Sequence, residues 1–225
     1  METFVISLGG SLIVPDNIDV EFLKSFRKII LKHITFGNRF ILISGGGRTA
    51  RKYMDAANKI RNLHPEDLDW LGIHSTRLNA HLIRTIFRDV AHTPVIKNPT
   101  SKIKFEKQIL VAAGWKPGCS TDFDAVLLAK NLGVKTLINL SNVEYVYDKD
   151  PRKFEDAKKI EKLSWKAFRK IVGSKWDPGL NMPFDPIASK EAEKLDLKVV
   201  IANGKDLKNL EKILSGKKFK GTIIN

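Results

Sequence analysis

Phe40-Ile41-Leu42-Ile43-Ser44 runs directly into Gly45-Gly46-Gly47 and then Arg48-Thr49-Ala50-Arg51. A short apolar strand, a triple-glycine turn and a helix opening with two arginines together suit a bound anion. Glycine tolerates positive φ and bares its backbone. Successive amides in such a turn form a nest at the positive end of the following helix, and a guanidinium pairs bidentately with phosphate. The same residues also make a plain tight turn with two solvated arginines, and on this segment alone both readings stand. Three more loops follow strand-like segments: Gly9-Gly10-Ser11, residues 114–122 and residues 141–150. Several glycine turns with Ser and Thr hydroxyls and basic side chains describe a polyphosphate site better than a metal cage. Neither GxxxxGK[ST] nor an intact GxGxxG is present, which argues against P-loop and dinucleotide-binding proteins. The five histidines, His33, His64, His74, His81 and His92, lack HExxH spacing, and Cys119 has no CxxC partner. Structural or surface roles are expected for all of them. Phosphoryl transfer asks mainly for in-line positioning and charge neutralisation. An acceptor that is already anionic needs no general base, so the lack of an obvious one fits a kinase acting on a phosphate or carboxylate.

The elements that must position these loops alternate between strand and helix. Thr3 to Leu8 is rich in β-branched and aromatic residues, as strands are. Asp16, Asn17 or Asp19 is placed to cap a helix whose Val20, Leu23, Phe26, Ile30 and Ile34 step at three and four residues. Residues 39–44 form a strand, and a helix follows the triple glycine to about Arg61. A long helix is predicted from Glu66 and Asp67 to about Ala91, with Leu68, Leu71, Leu78, Leu82 and Ile86 as its apolar stripe. Asp69, Arg77 and Asn79 interrupt that stripe. Residues 93–107 read as loops or short strands, and residues 108–113 as a buried strand. A helix with Ala125, Leu128, Ala129 and Leu132 inward stops at Gly133. Residues 135–140 form a strand, residues 143–147 are ambiguous, and Asp150-Pro151 is a breaker. Helices near 165–172, 185–195 and 207–214, strands at 198–202 and 222–224, and an irregular stretch at 173–184 complete the chain. The fold class is α/β, with a largely parallel sheet and helices on both faces. In such a sheet the carboxyl ends of the strands share one edge, where the four loops can converge. No internal boundary divides residues 1–225.

The formal charge is +14 over 225 residues, but the lysines are spread among acidic residues, as in Lys158-Lys159-Ile160-Glu161-Lys162. A generally basic surface that attracts small anions such as nucleotides accounts for this better than a nucleic-acid footprint. The apolar runs are too short to span a bilayer, so no membrane partner is expected. Met1-Glu2-Thr3 opens into strand-like sequence without a basic leader, and a single cysteine makes no internal disulfide. Both features lead to the expectation of a cytoplasmic protein.

A set of motifs in fixed order adds a resemblance. Leu8-Gly9-Gly10-Ser11, Gly45-Gly46-Gly47 with Arg51, Leu71-Gly72-Ile73 with Thr76-Arg77-Leu78-Asn79-Ala80, and Pro117-Gly118-Cys119-Ser120-Thr121-Asp122 come first. Ser141-Asn142-Val143 with Val146-Tyr147 and Asp150-Pro151, then Asp185-Pro186 with Ala188 and Lys190, follow. Together they cover nearly the whole chain, which resembles the amino acid kinase superfamily and most closely its archaeal-type uridylate kinases. The resemblance implies a three-layer αβα sandwich with a central, mainly parallel sheet. An acceptor-binding part would occupy about residues 1–122 and an ATP-binding part about residues 123–225. It further implies a cytoplasmic homohexamer that makes UDP from UMP and ATP, with Mg²⁺, in pyrimidine nucleotide synthesis. Carried over by position, Gly9, Gly10 and Ser11 would line the ATP phosphates, with Gly47 and Arg51 at those phosphates and the transfer site. Gly45 and Gly46 would contact UMP, and Asp69 its ribose. Trp115, Lys116, Pro117, Gly118, Cys119, Ser120 and Thr121 would wrap the UMP base and phosphate. Ser141, Asn142, Tyr147 and Asp150 would hold the ATP base and ribose, and no residue is assigned as a metal ligand.

Two departures from the family pattern carry expectations. Many superfamily members have Lys where Ser7 stands and use it to neutralise the transferring group. That charge would fall here to Arg48, Arg51 or Lys190, with Arg51 and Lys190 the catalytic candidates. Glu144-Tyr145 replaces the usual Asp-Gly, and a side chain there lacks glycine's freedom at positive φ, so a reshaped adenine-side loop is expected. Two alternatives remain: a same-fold kinase for another small phosphate or carboxylate, and a non-catalytic nucleotide-binding homologue.

Overall fold

The computed structural model describes residues 1–151, 153–173 and 182–225. The irregular stretch expected at 173–184 therefore lies largely outside the described residues. Nine strands are found among them: β1 (Thr3–Leu8), β2 (Arg39–Ser44), β3 (Ile109–Ala112), β4 (Thr136–Ser141), β5 (Val146–Tyr147), β6 (Lys159–Ile160), β7 (Lys162–Leu163), β8 (Lys198–Asn203) and β9 (Thr222–Ile224). The helices are α1 (Gly10–Ile13), α2 (Val20–Thr35), α3 (Gly47–Ile60), α4 (Pro65–Ile86), α5 (Thr121–Leu132), α6 (Trp165–Val172), α7 (Pro186–Lys194) and α8 (Leu207–Leu214).

Seven strands make one sheet in the order β3-β2-β1-β4-β8-β9-β7. Pairing is parallel from β3 to β8, while β9 runs antiparallel to β8. β5 and β6 form a separate antiparallel ribbon. The inner strands read as continuous apolar runs because helices cover both of their faces. Phe4, Ile6, Leu8, Phe40 and Leu42 point into a core shared with Leu12, Leu23, Phe26, Ile83 and Leu210, from α1, α2, α4 and α8. Val5, Ile41 and Ile43 point the other way, onto Ala125, Leu128, Trp165, Phe168, Ala188 and Ala192 from α5, α6 and α7. This is the expected three-layer αβα sandwich. α3 joins neither core and lies against α4.

Three local expectations are corrected. Gly10 and Ser11 begin a one-turn helix instead of lying in an open loop. The long helix ends at Ile86, not near Ala91, and its buried face is not the leucine stripe. Leu78 is 64% exposed, whereas Thr76 and Asn79 are buried, because their polar groups are engaged by the loops described below. At the start of α2, Asp19 caps by accepting from Phe22 N, but Val20 faces solvent, so the buried face begins at Leu23.

Candidate functional site

The two glycine turns interlock backbone to backbone. Gly9 N donates to Leu140 O at 2.8 Å, Gly45 N to Leu8 O at 3.0 Å and Arg48 N to Val14 O at 3.0 Å. A Cβ on Gly10 would stand 2.1 Å from Gly47 N and 2.6 Å from Gly45 O. Gly47 has φ +66°, and a Cβ there would meet Gly10 O at 2.3 Å. The glycines at these positions are therefore required by each other.

That packing sets the starts of α1 and α3 side by side. Both helices begin without a side-chain cap, on Gly9 and Gly46. By contrast α2, α5, α6, α7 and α8 each start on a side chain that accepts from the first turn. Apart from that of Arg48, the first-turn amides of α3 are available to an external acceptor at the positive end of the helix. Arg48 and Lys52 share Asp16, at 3.9 and 3.0 Å, and the hydrogen bond from Lys52 holds the Asp16 carboxyl below its usual pKa. Arg51 projects into solvent from the same helix, outside any ion pair among the described residues.

α4 brackets the turns to the loop at residues 114–120. Asn79 Nδ2 donates to Gly45 O at 2.8 Å and Gly46 O at 3.2 Å, and Ser44 Oγ donates to Thr76 O at 3.1 Å. Thr76 Oγ1 accepts from Gly114 N at 2.8 Å, and Arg77 donates to Trp115 O at 3.0 Å. Asp69 Oδ2 accepts from Gly118 N at 2.8 Å, so a residue expected at the acceptor ribose also ties down the acceptor loop. Lys116 Nζ lies 4.2 Å from the Trp115 ring centroid. Ser120 caps α5 through Phe123 N, with Thr121 opening that helix. Burial pushes the Cys119 thiol up in pKa, with nearby Asp124 adding to the effect. That counts against a thiolate nucleophile.

On the other side of Gly9, Ser141, Asn142, Tyr147 and Asp150 line one cavity of about 610 Å³, together with Ile171, Met182 and Pro183. Contacts run without a break from this cavity, through Gly9 beside Ser141 and Gly10 against Gly45 and Gly47, to α4 and the acceptor loop. Tyr145 needs no positive φ: among the described non-glycine residues only Asp196 has one. Its ring is buried, with Lys159 Nζ 4.8 Å from the centroid. Lys190 lies on the exposed side of α7, whose buried side carries Ala188, Ser189 and Ala192. Structure thus gathers the glycine turns, Asp69 and the loop at 114–121 with the cavity residues, while Lys190 is exposed on α7.

Two carboxylates at the start of α5 were given no role from sequence. Burial pushes Asp122 up to about 7, with Asp185 adding to the rise, and burial pushes Asp124 likewise to about 7. Asp124 Oδ2 accepts from Trp115 N at 3.0 Å, while Oδ1 is buried with no partner among the described residues. Between about pH 4 and 7 an unfolded chain has released the Asp124 proton and the folded chain keeps it. Stability therefore falls as pH rises through that window, and the loss is complete above it. At 1.36 kcal/mol per unit the bound is about 4 kcal/mol. We expect Asp124→Asn to melt above the parent protein at pH 8 and to lose that advantage at pH 5. An equal melting difference at both pH values would contradict a buried, proton-holding Asp124.

A mainly parallel sheet with helices on both faces, glycine turns at its carboxyl edge and a nucleotide-sized cavity beside them place the chain in a known class. It belongs to the amino acid kinase family, whose profile, described as "Amino acid kinase family", matches residues 2–203. A uridylate kinase of Thermoplasma volcanium is 36% identical over 220 residues, covering 96% of this chain and 94% of its own. One from Pyrococcus abyssi is 35% identical over 223 residues, covering 98% of each. The crystal structure of uridylate kinase from Archaeoglobus fulgidus covers both chains completely, with a TM-score of 0.83 at 30% identity. That of UMP kinase from Bacillus anthracis shares the fold, with a TM-score of 0.80 at 18% identity.

Proposed function

We propose that this chain is a uridylate kinase that transfers the γ-phosphoryl group of ATP to UMP, giving UDP and ADP. The observation that carries this reading is the unbroken contact path from the cavity, through the uncapped starts of α1 and α3, to the acceptor loop. Full-length similarity to proteins named uridylate kinases supports the choice of acceptor. In this reading Ser141, Asn142, Tyr147 and Asp150 hold the nucleoside of ATP. Gly9, Gly10, Ser11 and Gly47 receive its phosphates, and Gly45, Gly46, Asp69 and residues 115–121 hold UMP. Arg51 stabilises charge on the group in flight, with Lys190 the second candidate cation.

Among the described residues no group of three or more His, Cys, Asp or Glu is arranged to hold an ion. In this reading Mg²⁺ would come to the site on the ATP phosphates, where it would neutralise charge. Homohexameric assembly and a cytoplasmic role in pyrimidine nucleotide synthesis belong to the same proposal, and the single cysteine suits a reducing compartment. No helix among the described residues is long and apolar enough to cross a membrane.

ADP release from ATP and Mg²⁺ across UMP, CMP, AMP, GMP and isopentenyl phosphate tests the reading. UMP is expected to give the highest kcat/KM. Turnover with another acceptor but not UMP would overturn the specificity, and nucleotide binding without turnover would overturn the activity.

A further inference from the structure

We propose that Thr222, on the last strand, is a positioning residue for the donor nucleotide. Its hydroxyl fixes the height of the β5–β6 ribbon, and that ribbon forms one wall of the cavity beside Gly9. Glu144, Tyr145, Tyr147 and Asp148, in β5 or flanking it, all line that cavity. The ribbon stands outside the seven-stranded sheet and has only two residues in each strand. A lone two-stranded ribbon is marginally stable at best, so its place is set by what it leans on.

Thr222 supplies the directional part of that support. It is wholly buried, and on β9 it pairs with Ile201 of β8. Its Oγ1 accepts from Val146 N at 2.8 Å and donates to the carbonyl of Ile160. Val146 and Ile160 are an opposed pair of the ribbon, so one hydroxyl engages both strands through its donor and its lone pairs. The Val146 side chain is buried in the core on that side of the sheet. Apolar burial is non-directional, however, and does not by itself fix height or register. A second tie leaves the same segment: Lys220 Nζ lies 3.6 Å from Glu144 Oε1. Both of those side chains are exposed, so that pair adds little.

The consequence falls on the donor side. The acceptor loop is tied to α4 and α5 through Thr76, Arg77, Asp69 and Asp124, and none of these ties passes through the ribbon. Without the hydroxyl, a buried amide and a part-buried carbonyl lose their partner, and the ribbon must shift to find another. A wall displaced in this way holds the ATP nucleoside less well, while the UMP side keeps its geometry. Residue order does not announce this role, since Thr222 lies 76 residues from Val146 and 62 from Ile160.

This role rests on the reading of the cavity as the ATP site, so binding and turnover are measured separately. By calorimetry with a non-hydrolysable ATP analogue and Mg²⁺, Thr222→Val should show a Kd about tenfold above the parent's, the scale of one buried hydrogen bond. In steady state KM for ATP should rise by about the same factor, while kcat and KM for UMP stay within about twofold. Thr222→Ser keeps the hydroxyl and should bind like the parent. Where Thr222→Val does not fold, Thr222→Ala removes the same group with less bulk and takes its place. Parental analogue binding in Thr222→Val, or a Thr222→Ser as weak as Thr222→Val, would overturn the proposal. So would an equal loss on the UMP side, the mark of a merely structural role. A parent that binds no adenine nucleotide would overturn the reading of the cavity and the proposal with it. Analogue binding that weakens as expected, in a protein that turns over no acceptor, would count against the kinase reading alone.

Discussion

Replacing Arg51 by alanine is expected to lower kcat/KM by about two orders of magnitude, the loss that follows removal of one charge-stabilising contact in a transition state. Arg51 stands one turn inside α3, which begins without a side-chain cap, and projects outward with no ion-pair partner among the described residues. Arg48 and Lys52 on the same helix are already shared with Asp16, so Arg48→Ala should cost much less. Stability does not confound the comparison, because alanine is the better helix former at an exposed position. Arg51→Lys retains the charge but not the planar fork that grips two phosphate oxygens, and its rate should fall between the two. Steady-state kinetics on the three variants, with melting curves as a control, decide the matter. Near-parental kinetics for Arg51→Ala would remove it from the site.

Much of the sheet was legible in sequence because parallel strands are buried on both faces. Residues 3–8 and 39–44 stand out as apolar blocks, and both match the observed strands. β6 and β7 were not legible: two residues each, half of them lysine, they exist only through pairing with β5 and β9. α4 departs from its periodicity for a different reason. Periodicity ranks side chains by their own polarity, and Leu78 outranks Thr76 and Asn79 on that scale. The helix turns the other way because Thr76 and Asn79 meet the backbone of Gly114, Gly45 and Gly46, where leucine would leave buried polar groups unpaired.

The site divides along the same line. Glycine turns, the acceptor loop and the cavity residues were visible as local motifs. Asp122 ends one of these motifs, yet its environment is invisible in sequence, since its partners Ser7, Asn139 and Asp185 lie 115, 17 and 63 residues away. A carboxylate's environment is a property of tertiary convergence, and no spacing rule reports it. The placement of Asp69 shows the reverse case. Position alone suggested a ribose contact, and the structure adds a bond to Gly118 N that fixes the loop before any ligand arrives.

Gly10→Ala should be among the most damaging single methyl additions at the phosphate edge. The new Cβ would stand 2.1 Å from Gly47 N and 2.6 Å from both Gly45 C and Gly45 O. All three are backbone atoms, so no side chain can swing aside, and the turn itself must move. Overpacking typically costs about 1–3 kcal/mol, occasionally more, and a clash with fixed backbone belongs at the upper end. At about 2–4 °C per kcal/mol for a domain of this size, the melting temperature should fall by roughly 6–12 °C. Gly118→Ala separates this packing effect from backbone strain. Gly118 has φ +78° with nothing within 4 Å of an added Cβ, so only the left-handed conformation is penalised, by about 1–2 kcal/mol. Gly10 has no such φ, so its penalty is purely steric. If the two glycine turns must interlock to set the starts of α1 and α3, Gly10→Ala should lose turnover even well below its melting temperature. A Gly10→Ala protein that melts and turns over like the parent would show that the turns are free to separate, and the phosphate site would then need another organiser.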